Sequence, residues 1–286
     1  MASSKAEVKP KIVLSEPSLF GNDAAEDEAD EIFYSYVVER PELDAFTDAS
    51  RKLCIVHAYK GEGKSALLRL AAHRVGEGEH VVNVARKADD LAPDLAGDDH
   101  GAWVRAWKAN IVTALALEIG ATIGIAWSDD AMSLVEESEK RGSRRRSILS
   151  SILDRLKLSE TAVGDVKVSL PERRVLGTVN PEATVKRWAK GGPQLWLFVD
   201  DVDKNFANTA WWKHRVSAFF DACRSLNQAI PELRIRAIVR PNVWTILKRE
   251  FESLSHVEQY LVNLTWSLDD ATDLVMSSRH HNVTRT

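Results

Sequence analysis

Cysteine is scarce in this chain. Cys54 and Cys223 are the only two in 286 residues, and neither stands in a CxxC pair or a metal-ligand spacing. That pattern points to buried thiols in a reducing cytoplasm rather than to disulfides or cysteine-bound metal. Long apolar runs are lacking as well. The best of them, Ile111–Trp127, contains Glu118 and two glycines, whereas a membrane-spanning helix needs about 20 apolar residues. A buried core helix accounts for it better. There is no excess of positive charge: the net charge is −4, so no global attraction to nucleic acid or to an anionic membrane is implied. The opening residues, MASSKAEVKPKIVLSEP, carry no apolar core or cleavage site of a secretion signal. No internal repeat is evident.

What remains is an ordinary globular composition, with 44% hydrophobic and 28% charged residues, organised around one stretch. Leu53-Cys54-Ile55-Val56 is short, apolar and rich in β-branched residues, and reads as a buried strand. Ala58-Tyr59-Lys60-Gly61-Glu62-Gly63-Lys64-Ser65 follows, and Ala66-Leu67-Leu68-Arg69-Leu70 then continues at helical spacing. Strand, glycine-containing loop and Lys-Ser at a helix start is the arrangement that a nucleotide phosphate chain requires. Gly61 and Gly63 permit backbone angles that let successive N–H groups converge on an anion. The helix start adds its unpaired N–H groups and positive dipole end. The candidate phosphate-binding segment is therefore Tyr59, Lys60, Gly61, Glu62, Gly63, Lys64, Ser65 and Ala66. In it Lys64 reaches the β and γ phosphates and the Ser65 hydroxyl ligates Mg²⁺. One position departs from the GxxxxGK[ST] pattern, since Ala58 replaces the first glycine.

The rest of the chain alternates strands and helices. His80–Val84 reads as a second strand, which makes a βαβ unit and predicts a parallel sheet. Gln194–Val199 is an apolar run suited to a strand buried on both faces, and it ends in Asp200-Asp201-Val202-Asp203. Trp211–Leu226 reads as a helix, Leu233–Val239 as a fourth strand ending at Arg240-Pro241, Asn242–Phe251 as a helix, and Gln259–Thr265 as a fifth strand. A last helix is expected from Ala271 to about Arg279, capped by Ser267. Open α/β sheets place ligands at the carboxyl ends of their strands. A carboxylate there can hold Mg²⁺ opposite Ser65, and Asp200 is the candidate. Asp201 is the candidate to polarise an attacking water, with Asp203 as its rival. Arg240, at the end of the next strand, is placed to stabilise charge on a γ-phosphate.

The expected architecture is thus α/β, a largely parallel central sheet flanked by helices, with a mostly helical insertion. Residues 1–19 read as a flexible lead-in, 20–91 as the first part of the core, 92–187 as the insertion and 188–286 as the second part. An acidic amphipathic helix is expected up to Glu39. Within the insertion, Gly101–Gly124 reads as a long helix carrying Trp103, Trp107, Ile111 and Leu115, and a second helical stretch spans Asp130–Leu158. Val163–Leu176 reads as a hairpin or exposed loop. Arg141 and Arg144–Arg146 offer a local contact for nucleic-acid phosphates, although flanking Gly and Ser fit a solvated loop. Trp211-Trp212, followed by Lys213, His214 and Arg215, fits an exposed contact surface less well than core packing of at least one indole, and His280-His281 supports no metal site.

Strand–AxxxxGKS–helix, then LWLFVDDVD, then IRAIVR resembles the additional-strand class of P-loop NTPases. Within it, the chain is similar to STAND and KAP-type ATPases of the AAA+-like group. The wording GEGKSALL after FGNDAAEDE also resembles a family of bacterial P-loop ATPases from mobile and phage-defence gene neighbourhoods. The similarity covers about Phe20–Leu91 and Pro193–Arg279. It implies ATP and Mg²⁺ as cofactors, adenine contacts near Phe20–Glu26, and a cytoplasmic, nucleotide-controlled switch that self-associates or acts on an effector protein. Adenine over guanine rests on the resemblance, for no NKxD guanine-reading motif is present. Such ATPases continue into a helical lid or winged helix, whereas this sequence stops at Thr286, so the lid is expected to be absent, truncated or supplied by other parts. Two other functions fit the same motifs: a nucleic-acid-stimulated motor or loader, and a non-catalytic nucleotide-binding scaffold.

Overall fold

A computed structural model describes residues 33–34, 40–122 and 181–265. The chain divides into two units, 1–41 with 265–286, and 42–264. In the first, Phe33 is buried and packs edge-to-face on Tyr34, with ring centroids 5.0 Å apart. The last expected helix, the stretches Asp130–Leu158 and Val163–Leu176, the arginine cluster at Arg141–Arg146, the segment Phe20–Glu26 and His280-His281 all lie outside the described residues.

The second unit is built on five parallel strands: β1 (Leu53–His57), β2 (Val81–Lys87), β3 (Gln194–Asp200), β4 (Leu233–Val239) and β5 (Leu261–Asn263). Their spatial order is β2-β3-β4-β1-β5. Strands β3 and β4 are interior; β3 is apolar almost throughout because helices cover both faces of the sheet, and β4 is apolar apart from Arg234 and Arg236. Strand β2 lies at an edge and its burial alternates. It runs three residues past the expected end at Val84, since pairing with β3 continues to Lys87 opposite Asp200. Ala85, Arg86 and Lys87 are strand residues by register and not by hydrophobicity. Strand β5 is shorter than expected, because Glu258–Tyr260 closes into a 3₁₀ turn.

One face carries Ile55, Val84, Leu197, Val199, Ile235 and Ala237 in a contiguous apolar core. Helices α4 (His100–Thr122), α5 (Pro181–Ala189), α6 (Ala210–Ala229) and α7 (Pro241–Glu250) contribute to it. The opposite face carries Trp196 and Arg236, and is covered by α2 (Lys64–Gly76) and by the end of α1 (Pro41–Thr47) with the residue after it. The remaining helix, α3 (Ala88–Leu91), follows β2 directly.

Helix α4 packs on the sheet. Trp103, Trp107, Ile111, Leu115 and Ile119 are all buried in the sheet's own core. Trp107 packs on Phe219 of α6 and donates its indole N–H to the Arg215 carbonyl at 2.8 Å. The first described part of the 92–187 block, read from sequence as a mostly helical insertion, is helical and packs into the sheet's core. The expectation that Ile111–Trp127 opens as a core helix agrees with this burial as far as Thr122. Among the described residues no helix is long and apolar enough to cross a membrane.

Candidate functional site

The strand order sets β1, β4 and β3 side by side, so their carboxyl ends form one edge. From that edge come the loop after β1, Arg240 after β4 and the acidic turn after β3. Three motifs far apart in sequence are brought together there.

Ala58 opens the loop fully buried, and its N–H donates to the Val239 carbonyl at 3.2 Å. It does not have a positive φ, unlike His80, Asp201 and Asn205, so this position makes no backbone demand for glycine. The other two loop glycines do have one: Gly61 has φ 89° and Gly63 φ 79°. Gly63 is the N-cap of α2, in left-handed conformation and without a side-chain cap. The first amides of α2 are therefore not taken by a capping side chain. Leu67 N–H bonds back to the Gly63 carbonyl at 2.9 Å, which fixes the helix start at Lys64. Lys64 Nζ donates to the Tyr59 carbonyl at 2.8 Å, and the Glu62 carboxylate accepts the Tyr59 N–H. Tyr59 is itself exposed, as is Lys60, while Lys64, Ser65 and Ala66 are half-buried. The loop is thus closed by its own lysine and glutamate. Sequence reasoning assigned Glu62 to the loop without foreseeing that carboxylate bond.

At the end of β3, Asp200 is buried and its Oδ1 accepts the Asp201 N–H at 2.7 Å. Asp201 has φ 59°, a left-handed backbone that Asp tolerates better than most residues. Its carboxylate meets Lys204 Nζ at 3.3 Å. Val202 is buried and anchors the turn, and Asp203 is buried after it. Asp203 Oδ2 accepts both the Arg240 backbone N–H at 2.9 Å and Arg240 Nε–H at 2.8 Å. Its carbonyl also accepts from Arg240 Nη2. Asp203, the rival for the water-polarising role, is therefore engaged with Arg240. Lys204 and this engagement of Asp203 were missed by the sequence reading, although the DDVD spacing marked where to look.

Hard oxygen donors suit Mg²⁺, which takes one or two carboxylates and keeps waters or substrate phosphates for its other positions. The Ser65 hydroxyl and the Asp200 carboxylate fit that donor chemistry. Among the described residues no group of three or more His, Cys, Asp or Glu side chains is arranged to hold a metal ion. Both thiols are buried and unpaired, and burial pushes each above the ordinary cysteine value. No protein-family model matches this chain, and no curated protein matches it.

Proposed function

We propose that this chain binds ATP with Mg²⁺ and hydrolyses the γ-phosphate, using the cycle as a switch on its own assembly or on an effector protein. The observation carrying the reading is the strand order, which sets a glycine loop, a carboxylate strand end and an arginine along one sheet edge with β4 between the first two. An extra strand in that place is what the resemblance to additional-strand NTPases calls for.

Lys64 and the loop amides hold the phosphate chain. Ser65 and Asp200 would hold Mg²⁺, which supplies charge neutralisation at the phosphate oxygens. Asp201 orients the attacking water and accepts its proton, which requires hydrogen-bond reach in the loaded site. Arg240 donates to the γ-phosphate oxygens as charge spreads over them. Phosphoryl transfer of this kind is driven mainly by positioning and electrostatics. The buried thiols of Cys54 and Cys223 suit a reducing compartment, and we place the protein in the cytoplasm on that basis.

The test is phosphate release from ATP and from GTP, with Mg²⁺ or with a chelator, alongside light scattering with and without ATP and Mg²⁺. Magnesium-dependent release from ATP and a nucleotide-dependent change of mass are expected. ATP held intact over hours overturns the hydrolytic part, and an unchanged monomer overturns the assembly switch.

A further inference from the structure

We propose that Asp203 is the positioning residue for Arg240, presetting its guanidinium for the transferring phosphate. The inference rests on the ATPase reading above and assigns a role that neither the loop nor the metal carboxylate supplies.

The contact is made at two levels of the same residue. One carboxylate oxygen of Asp203 takes the Arg240 backbone N–H and Nε–H, at 2.9 and 2.8 Å. The Asp203 carbonyl accepts Nη2. The Nε–Nη2 edge of the guanidinium is therefore committed, along with the backbone that carries it. Nη1 makes no hydrogen bond to any described residue and belongs to a side chain still about a third exposed (32%), against 7% for Asp203. One end of the fork is fixed in the protein and the other end remains for an oxyanion.

Burial of Asp203 gives this geometry its force. A carboxylate shielded from water holds a charged donor more firmly than a surface partner does. The arginine's rotamer freedom is lost in the folded protein, so it is not lost again when phosphate arrives. Preset donors of this kind need little reorganisation at the moment of reaction. Asp203 is placed by the turn that also places the candidate base. Lys204 N–H bonds to the Asp201 carbonyl at 3.1 Å, Phe206 N–H to the Asp203 carbonyl at 3.1 Å, and Asp201 and Asn205 take left-handed angles. The run Asp200-Asp201-Val202-Asp203 thereby divides its work: Asp200 toward the metal, Asp201 toward water, Val202 into the core and Asp203 onto Arg240.

The experiment is a double-mutant cycle on the full chain, measuring kcat and KM for Mg²⁺-dependent ATP hydrolysis and thermal unfolding of each variant. Arg240→Ala is expected to lower kcat by about 10²–10³-fold, as loss of a preset donor does. Asp203→Ala is expected to lower kcat by about 10–100-fold with KM changed less than about threefold, the range for a residue that orients another. Asp203→Asn, which keeps the shape and an acceptor oxygen, should recover part of that loss. In the Arg240→Ala background, Asp203→Ala should lower kcat no further. A stably folded Asp203→Ala with wild-type kcat overturns the proposal, as does an undiminished loss in the Arg240→Ala background. If Asp203→Ala does not fold, the same cycle run with Asp203→Leu, which keeps the volume without an acceptor, decides by the same two criteria. Absence of turnover in the wild-type chain overturns the ATPase reading and this role with it, whereas wild-type turnover indifferent to Asp203 overturns only the role.

Discussion

Lys64 Nζ reaches back across its own loop to the Tyr59 carbonyl, 2.8 Å away. The cation is held over the loop that it would serve, so a phosphate chain entering there exchanges one acceptor for a charged one. Lys64→Ala removes that charge. ATP affinity measured by calorimetry should fall at least tenfold, about 1.4 kcal/mol. Stability should change little, since a half-exposed hydrogen bond contributes about 1 kcal/mol. Unchanged affinity in the variant would mean that the loop does not hold the phosphates.

Asp201 combines a role in chemistry with an unusual backbone, φ 59°. Asparagine accepts the same angle, so Asp201→Asn should fold and bind ATP while turnover drops by about 10²–10⁴-fold, the contribution of a general base. Asp201→Val, β-branched at a left-handed position, should cost about 1–2 kcal/mol on denaturant unfolding. Normal hydrolysis by Asp201→Asn would assign the base elsewhere.

Arg236 carries a structural prediction independent of nucleotide. It is fully buried, with Nε on the Phe46 carbonyl at 2.6 Å and Nη2 on the Asp48 carbonyl at 2.7 Å. Its guanidinium lies over the Trp196 ring, 4.6 Å from the centroid. Burial pulls its pKa down to about 10, so it stays charged at neutral pH. Arg236→Met leaves both carbonyls without their donor and should destabilise the fold by about 2–4 kcal/mol. Arg236→Lys should not rescue it, because an ammonium cannot span the two carbonyls as the planar fork does. Chemical denaturation of the three proteins checks this.

His214 predicts an acid-sensitive fold. Its Nδ1 is buried without a hydrogen-bond partner among the described residues, and its ring meets Phe251 edge-on at 5.1 Å. Burial first, and then His100 nearby, push its pKa below the ordinary 6.5, against smaller opposing pulls from Asp98, Glu250 and Asp99. A histidine lowered in the folded state takes up its proton more readily when unfolded. Its contribution is complete above about pH 6.5 and is lost as pH falls toward its folded value. Melting temperature should decline as pH falls below about 6.5, and His214→Leu should flatten that decline. An identical slope in the variant would assign the acid sensitivity to another group.

Much of this molecule was written locally in the chain. Leu53–Val56 is short and β-branched, Gly61 and Gly63 interrupt it, and Leu67, Leu68 and Ala71 return at helical spacing, so strand, loop and helix follow from neighbours within a few residues. Strand β4 could be read to its ends because its apolar run stops at Arg240-Pro241, where proline suits a helix start. What the sequence could not carry was pairing. Nothing in Leu233–Val239 says that it lies between β1 and β3, yet that position alone brings Arg240 to Asp203 and both to the loop. Arg236 in an alternating LRIRAIV run looks like a solvent-facing residue until the end of α1 and the residue after it cover it. Lys87 becomes a strand residue only through Asp200 opposite it. Local periodicity reports which face of an element is apolar, but parallel strands pair across long intervening segments. The sequence by itself therefore determined the elements and the chemical groups at their ends, and only tertiary packing decided which of those groups meet.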